Sequence, residues 1–132
     1  MGIRVARPAD IASIRRLIDM EPGQWQAHWS DATLATAIAN AGDLALVDEE
    51  DGATLGFACA HDVGFRAYLS ELIVAPAVRR RGIARNLLAR IEEQLAARGC
   101  TVLIADVWAD AEPFYLSLGW QAPAARLLRK RL

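Results

Sequence analysis

Apolar side chains recur along this chain at helical spacing in some stretches and in short runs in others. Helical spacing is clearest from residue 83 to residue 95, where Ile83, Leu87 and Ile91 share one face and predict a long helix. Arg98 and Gly99 supply the cation and the glycine that favour the end of that helix. Further helices are predicted over residues 11–20, 31–39 and 111–118.

Short apolar runs between glycine, proline and acidic residues predict the strands. These runs cover residues 44–47, 54–61, 67–74 and 101–107, and alternation of apolar and polar residues predicts further strands at 3–6 and, more weakly, at 126–132. Because the chain has 132 residues, it is long enough for one core and too short for two. The element order therefore predicts a single α/β domain over residues 1–132, with helices on both faces of one mixed sheet.

Polar residues mark the expected starts of the helices. Asp10 is expected to cap the first helix, because a side-chain oxygen can accept a hydrogen bond from the free N–H groups there. Ser30 or Asp31 is expected to cap the second helix, and Asp110 the last. The carboxylate run at residues 48–51 is expected to be a solvated hairpin tip rather than a metal site.

Composition narrows the classes of protein to which this chain can belong. Hydrophobic residues make up 54% and charged residues 23%, which is typical of a folded globular protein, and the net charge of −1 argues against nucleic-acid binding. The two cysteines and two histidines lack metal-ligand spacing, so we expect neither a structural metal nor a disulfide. Without an 18-residue apolar run or a signal peptide, the chain is expected to be cytoplasmic and to bind no membrane.

A turn rich in arginine follows the strand at residues 67–74 and opens the long helix. Backbone N–H groups at a helix start lack partners within the helix, and the helix dipole adds partial positive charge there. Gly82 lets a ligand approach the backbone, and the arginines at 79–81 add charge, so the turn is predicted to be an anion cradle. From these residues alone, a phosphate-bearing cofactor, a nucleic acid or no ligand at all remain open.

Two linked motifs resemble those of the GCN5-related N-acetyltransferases (GNAT). The first is Arg79-x-x-Gly82-x-Ala84 after a strand and a short turn, and the second is the segment from Ala111 to Trp120, with Phe114-Tyr115 at its centre. The resemblance covers nearly the whole chain. It implies a mostly antiparallel central sheet of six to seven strands, acetyl-CoA or another acyl-CoA as donor, and no metal.

The resemblance also implies which residues bind the donor. Backbone amides of residues 80–85 would wrap the pyrophosphate, and the strand before the turn would pair with the pantetheine arm. Arginine side chains would add charge to the phosphates. The donor-binding residues implied in this way are Leu72, Ile73, Val74, Arg79, Arg80, Arg81, Gly82, Ile83, Ala84 and Arg85.

Catalysis needs an acid for the departing thiolate and a base for the attacking amine. By resemblance Tyr115 is the acid, and a backbone N–H in a bulged strand near Val74 is the oxyanion donor. Asp106, in an otherwise apolar strand, and Glu71, beside the donor site, are alternative bases, although either carboxylate could instead fix a helix end or an arginine. Trp108 stands where the family often has an asparagine, so that asparagine's contact to pantetheine cannot be carried over.

The acceptor is the part of the reaction that the sequence leaves open. Trp25 and Trp29 either line an acceptor pocket or pack their loop onto the sheet. The predicted function is N-acetylation of a small-molecule or peptide amine, and the alternatives are a non-catalytic acyl-CoA-binding sensor or interaction module, or an RNA or peptide binder. A homodimer is left open.

Overall fold

The computed structural model describes residues 2–132, which form one five-stranded sheet with helices packed on it. The strands are β1 (Gly2–Val5), β2 (Ala45–Glu50), β3 (Ala53–Asp62), β4 (Ala67–Val74) and β5 (Leu103–Ile104). The α-helices are α1 (Ile11–Asp19), α2 (Asp31–Ala41), α3 (Ile83–Ala97) and α4 (Glu112–Ser117). The strands lie in sequence order; β1 to β4 are antiparallel neighbours, and β5 runs parallel to β4.

Each face of the sheet carries its own hydrophobic core, because successive side chains of a strand point to opposite faces. Phe57 of β3 packs with α1 and α2, whereas its neighbour Ala58 packs with α3. The apolar stripe predicted for α3 is buried as expected, with Leu87 and Ile91 fully inaccessible. The helices therefore lie on both faces of the sheet, as the element order predicts.

The expected six to seven strands are not confirmed, since the sheet within residues 2–132 has five. Of residues 101–107 only Leu103 and Ile104 pair, with Ala67 and Tyr68. Residues 126–132 form no strand, and all of them are exposed. Their weak alternation of leucine and arginine buries no apolar surface, so nothing offsets the entropy of ordering them as a strand.

Two of the expected caps and the expected acidic tip need correction. Ser30 does cap α2, accepting a hydrogen bond from the Thr33 N–H, but the residue at the start of α4 is Ala111 rather than Asp110. Residues 48–50 belong to β2, and only the last carboxylate of the run lies in the turn. A strand position is stable for these carboxylates because two of them form ion pairs with arginines.

Asp10 is the N-cap residue of α1, as expected, but its side chain makes an ion pair instead of a capping hydrogen bond. The two terminal nitrogens of Arg4 donate to the two carboxylate oxygens of Asp10, each at 2.8 Å, and one of them also donates to Glu49 at 3.1 Å. The backbone N–H of Arg7 donates to the same carboxylate at 2.7 Å. We call Arg4, Asp10 and Glu49 the Arg4 cluster. It joins β1, β2 and the start of α1, and its hydrogen bonds, chiefly those from Arg4, lower the pKa of the Asp10 carboxyl.

A glycine in β3 sets how closely α3 approaches the sheet. A Cβ atom at Gly56 would lie 2.8 Å from Cγ2 of Ile83 and 3.0 Å from Cδ1 of Leu87. The first turn of α3 therefore lies directly on the backbone of β3. This contact holds the amino end of α3 beside the end of β4, where the candidate site begins.

No helix within residues 2–132 is long and apolar enough to cross a bilayer. In the same range, no three histidine, cysteine, aspartate or glutamate side chains gather as ligands for a metal ion.

Candidate active site

β4 and β5 separate after two residue pairs, and the gap between them holds the candidate site. Beyond Tyr68, the edge of β4 that faces away from β3 has no strand partner among the described residues. Two cavities lie along this gap, one of about 740 Å³ lined by Arg80 and one of about 450 Å³ lined by Glu71. We call them the Arg80 cavity and the Glu71 cavity. They adjoin, since both are lined by Gln24, Leu72, Trp108, Ala111 and Tyr115.

The backbone at the start of α3 faces the Arg80 cavity with unpaired donors. Arg79 N–H still bonds to the Pro76 carbonyl, and Asn86 N–H is the next to find a partner, the carbonyl of Gly82. Within residues 2–132, the six N–H groups of residues 80–85 between them have no protein acceptor. Such a run of free donors at a helix start is an anion-binding cradle.

Two residues of this cradle have left-handed backbone. Gly82 has φ +79°, which costs a glycine little, but Arg80 has φ +69°, which is strained for a residue with a side chain. A Cβ atom at Gly82 would meet no protein atom within 4 Å, so the glycine keeps open space in front of the backbone. The strain and the open space both favour a ligand that contacts the backbone closely.

The arginines of the turn divide into paired and unpaired side chains. Arg79 bonds to Glu21 at the rim of the cavity, and Arg81 bonds to Glu50 at 3.0 Å, outside it. Within residues 2–132, Arg80 and Arg85 form no ion pair, and both line the Arg80 cavity. Of the predicted arginines, these two are the ones whose charge is available to an anion.

The remaining walls of the Arg80 cavity fit an extended, partly apolar molecule with phosphates at one end. Leu72, Ile73 and Val74 line it from the open edge of β4, opposite Phe114 of α4. An open strand edge offers backbone hydrogen bonds to an extended ligand. The cradle, the two unpaired guanidinium groups and the strand edge together suit the pyrophosphate and the pantetheine arm of coenzyme A.

Tyr115 lies at the junction of the two cavities. Its ring contacts those of Phe114 and Trp120 edge to face, with centroids 5.4 Å and 5.1 Å away. Burial raises the pKa of its hydroxyl, and the negative charge of Asp106 raises it further. The hydroxyl therefore stays protonated at neutral pH, as a general acid must.

The two candidate bases lie in different surroundings on the walls of the Glu71 cavity. Glu71 is half-buried and accepts a hydrogen bond from the side-chain amide of Gln24 at 3.2 Å. Burial raises the pKa of Glu71, and the charge of Asp106 adds to that effect. Asp106 is exposed and accepts a hydrogen bond from the hydroxyl of Tyr68. The structure thus brings Tyr115, Glu71 and Asp106 to one place.

A β-bulge turns Glu71 toward the cavity. The register of β3 and β4 shifts so that Cys59 pairs with Glu71 and Ala60 with Leu69, which leaves Ser70 as the extra residue. Its hydroxyl donates to the Cys59 carbonyl at 3.1 Å and lies 3.0 Å from Nε2 of His61. The bulge predicted near Val74 is therefore four residues earlier in β4, and the hydroxyl of the extra residue bonds to the backbone of β3.

The two tryptophans predicted at an acceptor pocket have different positions. Trp29 lines the Glu71 cavity, whereas Trp25 lies outside both cavities and packs against the core beneath α1 and α2. The Arg15 guanidinium stacks on Trp25 at 3.8 Å from the ring centroid, and the two tryptophan rings meet edge to face at 5.5 Å. The ring of Trp25 is thus in contact with the core, with the Arg15 guanidinium and with Trp29. Trp25 therefore holds Trp29 in place and does not itself line the pocket.

Several residues that line the site had no signal in the sequence. Gln24 lies in a loop without periodicity, and Tyr68 looks like any aromatic residue in a strand. Arg129 and Arg131 line the Glu71 cavity although their segment forms neither helix nor strand. Trp108, which lines both cavities, did have a signal in the sequence, because it stands where the family often has an asparagine.

Comparison with known proteins agrees with this geometry. The model of the acetyltransferase (GNAT) family matches residues 11–120. The acetyltransferase YE1169 of Yersinia enterocolitica is 36% identical over 93 residues, which are 68% of this chain and 66% of that relative. The aligned segment thus spans slightly less than two thirds of the relative's length.

Solved structures share the fold over most of their length. The ribosomal-protein-S18-alanine N-acetyltransferase of Escherichia coli is 26% identical, with a TM-score of 0.73 over 89% of this chain and 75% of its own. The PaiA N-acetyltransferase of Thermoplasma acidophilum, solved with coenzyme A, is 17% identical and has a TM-score of 0.81 over 94% of this chain and 91% of its own. The second likeness concerns the fold alone.

The family match covers β2 to β5, the cradle and the helix that carries Tyr115, while β1 lies before it. The enzyme class predicted from the sequence, an acyl-CoA-dependent N-acetyltransferase, is confirmed at the level of the family. This chain belongs to the GNAT acetyltransferase family.

Proposed function

We propose that this protein transfers an acetyl group from acetyl-CoA to a primary amine by direct attack. The observation that carries the proposal is the position of Tyr115, which lines both the Arg80 cavity and the Glu71 cavity. The first cavity offers unpaired donors for a pyrophosphate, and the second offers carboxylates for an amine. The thioester and the amine would meet where the cavities adjoin, beside the Tyr115 hydroxyl.

The cradle and the edge of β4 hold the donor in this proposal. The free N–H groups of residues 80–85, with Arg80 and Arg85, bind the phosphates. The edge from Leu72 to Val74 binds the extended arm as an added strand. Acetyl-CoA, or another acyl-CoA, supplies the acyl thioester.

Glu71 is our assignment for the base and Tyr115 for the acid. A carboxylate whose pKa is raised toward neutrality is a better base than an ordinary one, and Glu71 has such a pKa through burial. Asp106 accepts a hydrogen bond from the Tyr68 hydroxyl, so one of its oxygens is already engaged. The amine of the E. coli relative's named acceptor, an alanine, is consistent with an attacking primary amine.

The proton balance of the transfer follows from these assignments. The amine nitrogen forms a bond to the acetyl carbonyl carbon, and the carbon–sulfur bond breaks. The nitrogen loses a proton to the Glu71 carboxylate, and the sulfur gains one from the Tyr115 hydroxyl. Exchange with solvent then restores the carboxylate and the phenol, leaving an N-acetyl amide and free CoA.

Replacement of Tyr115 by phenylalanine tests the proposal. We expect kcat for CoA release to fall by about 100-fold, because the departing sulfur loses its proton donor. The KM for acetyl-CoA should change little, since the ring stays between Phe114 and Trp120. The basic limb of the pH–rate profile should also disappear.

Two outcomes would contradict the proposal in different ways. A variant with unchanged kcat and an unchanged basic limb would remove Tyr115 as the acid. A wild-type protein that binds acetyl-CoA but releases no CoA with any primary amine would favour the binding-only alternative. Calorimetric titration of acetyl-CoA separates that second outcome from a misfolded preparation.

A further inference from the structure

We propose that the acceptor is a zwitterion, a small molecule that carries a carboxylate as well as the primary amine. This inference rests on the proposed function and names the substrate class of the same site. Its basis is the charge of the Glu71 cavity, whose walls carry two anions and two cations. These are Glu71, Asp106, Arg129 and Arg131.

None of these four groups forms an ion pair within residues 2–132, although they share one cavity. Glu71 is bonded to a neutral amide, that of Gln24, and Asp106 to a neutral hydroxyl, that of Tyr68. Both carboxylates therefore keep their negative charge uncompensated by a protein cation. A ligand ammonium group would compensate it.

The cations come from a different part of the chain. Residues 121–132 form no helix or strand, yet the segment runs beside the gap between β4 and β5. Arg129 and Arg131 line the cavity, whereas Lys130 between them does not, as alternation along an extended segment requires. A guanidinium group matches a carboxylate with two parallel hydrogen bonds, which makes arginine suited to this wall.

The carboxylates and the arginines of the cavity would attract or repel an amine according to the other charges that it carries. A polycationic amine would gain from Glu71 and Asp106 but would be repelled by Arg129 and Arg131. A plain alkylamine would leave both guanidinium groups without a partner. A molecule with an amine and a carboxylate satisfies both walls, so specificity follows from attraction and repulsion together.

The test compares two double variants that each remove two positive charges from the same segment. R129Q/R131Q removes the cavity arginines, and R126Q/K130Q is the control, because neither Arg126 nor Lys130 lines the cavity. The probes are glycine, β-alanine, 4-aminobutanoate and 5-aminopentanoate, each assayed beside its carboxamide for CoA release from acetyl-CoA. The readout is the ratio of kcat/KM for the acid to kcat/KM for the amide.

We expect this ratio to fall about tenfold in R129Q/R131Q for the best acid, the effect of two exposed charge-assisted contacts, and to stay unchanged in the control. Differences in amine basicity between acid and amide cancel, because the same pair of probes is used with every variant. A ratio that is equal in wild type and R129Q/R131Q overturns the inference. An equal fall in both double variants also overturns it, since general electrostatics would then explain the preference.

Calorimetry of the same acids and amides gives a readout that needs no turnover. Preferential binding of an acid, lost in R129Q/R131Q and kept in R126Q/K130Q, supports recognition of the carboxylate by the cavity arginines independently of turnover. Acetylation of amides and acids alike, without a preference for the acid, leaves the proposed function intact and removes the inference. Absence of CoA release with every amine removes the proposed function instead.

Discussion

Two parts of this molecule concentrate arginine chemistry, and they are built in opposite ways. In the Arg4 cluster, a buried carboxylate receives three hydrogen bonds, and Asp10 is only 6% exposed. At the Arg80 cavity, the six backbone N–H groups of residues 80–85 and the guanidinium groups of Arg80 and Arg85 have no protein partner within residues 2–132. Folded proteins leave few polar groups unpaired. The unpaired groups of the Arg80 cavity therefore indicate a ligand site, whereas the paired groups of the Arg4 cluster stabilise the fold.

The same comparison divides the arginines of the turn itself. Arg79 and Arg81 pair with glutamates, and only Arg80 and Arg85 remain available. In the sequence these arginines form one basic cluster, but in the structure some of them are paired with carboxylates and others are not. Pairing, rather than charge, separates them.

The largest expected effect comes from closing the cradle with a side chain. We expect Gly82→Val to lower kcat/KM for acetyl-CoA by about 100-fold, because its side chain would fill the space in front of the free N–H groups. The matched control is Gly99→Val, at φ +81° against +79°, just beyond the other end of α3. Both variants should lose about 1–2 kcal/mol of stability from left-handed strain. Equal losses of activity would mean that the cradle does not bind the donor.

Replacing a paired arginine in one variant and the unpaired arginines in another should separate effects on stability from effects on donor binding. Arg4→Gln should lower the free energy of unfolding by about 2 kcal/mol, less than for a fully buried pair, because Arg4 keeps some solvent contact. R80Q/R85Q should leave stability unchanged and raise the KM for acetyl-CoA by about tenfold. Denaturant unfolding and steady-state kinetics on the same preparations check both. A raised KM for acetyl-CoA in Arg4→Gln would contradict the division into stabilising and donor-binding arginines.

Stability should depend on pH through Asp10. Its pKa in the folded protein lies below the ordinary value of 3.8, so the stabilisation is complete above that value and is lost as the pH falls through the folded pKa. The melting temperature of Asp10→Asn should therefore lie below that of wild type at neutral pH and approach it in acid. A gap that stays constant with pH would mean that the ion pair is not its cause.

The smallest expected effect concerns the base. The Gln24 amide bonds to Glu71 and favours its charged form, so Gln24→Ala should raise the pKa of Glu71 further. The acid limb of the pH–rate profile should then move to higher pH. Gln26→Ala is the control, since it removes a 3.2 Å bond to the Gly23 carbonyl instead. An unmoved limb would favour Asp106 as the base.

Much of the fold could be predicted because its signals are local. The stripe of α3 and the glycine after it gave that helix its bounds, and β4 begins and ends where its apolar run does. The cradle could also be predicted, since a strand, a turn and a glycine before a helix are neighbours in sequence. The family resemblance then gave the donor.

The acceptor side could be predicted only in part. Trp29, Glu71 and Asp106 were expected there, but their partners were not, because these residues meet only through long-range packing. Gln24 reaches Glu71 across 47 positions, and Tyr68 reaches Asp106 across 38. The bulge at Ser70 depends on the register between β3 and β4, which no local pattern encodes. The strand expected at residues 126–132 failed for the same reason, since no element was available to bury it.

The cradle at the start of α3 has a consequence for how this enzyme can diversify. Its donors are mostly backbone groups, so substitutions at neighbouring positions other than Arg80, Gly82 and Arg85 leave recognition of the donor largely intact. The Glu71 cavity is instead lined by side chains on a loop, on a strand and on a segment that forms neither helix nor strand. A few substitutions there can exchange one acceptor for another while the acetyl source stays the same.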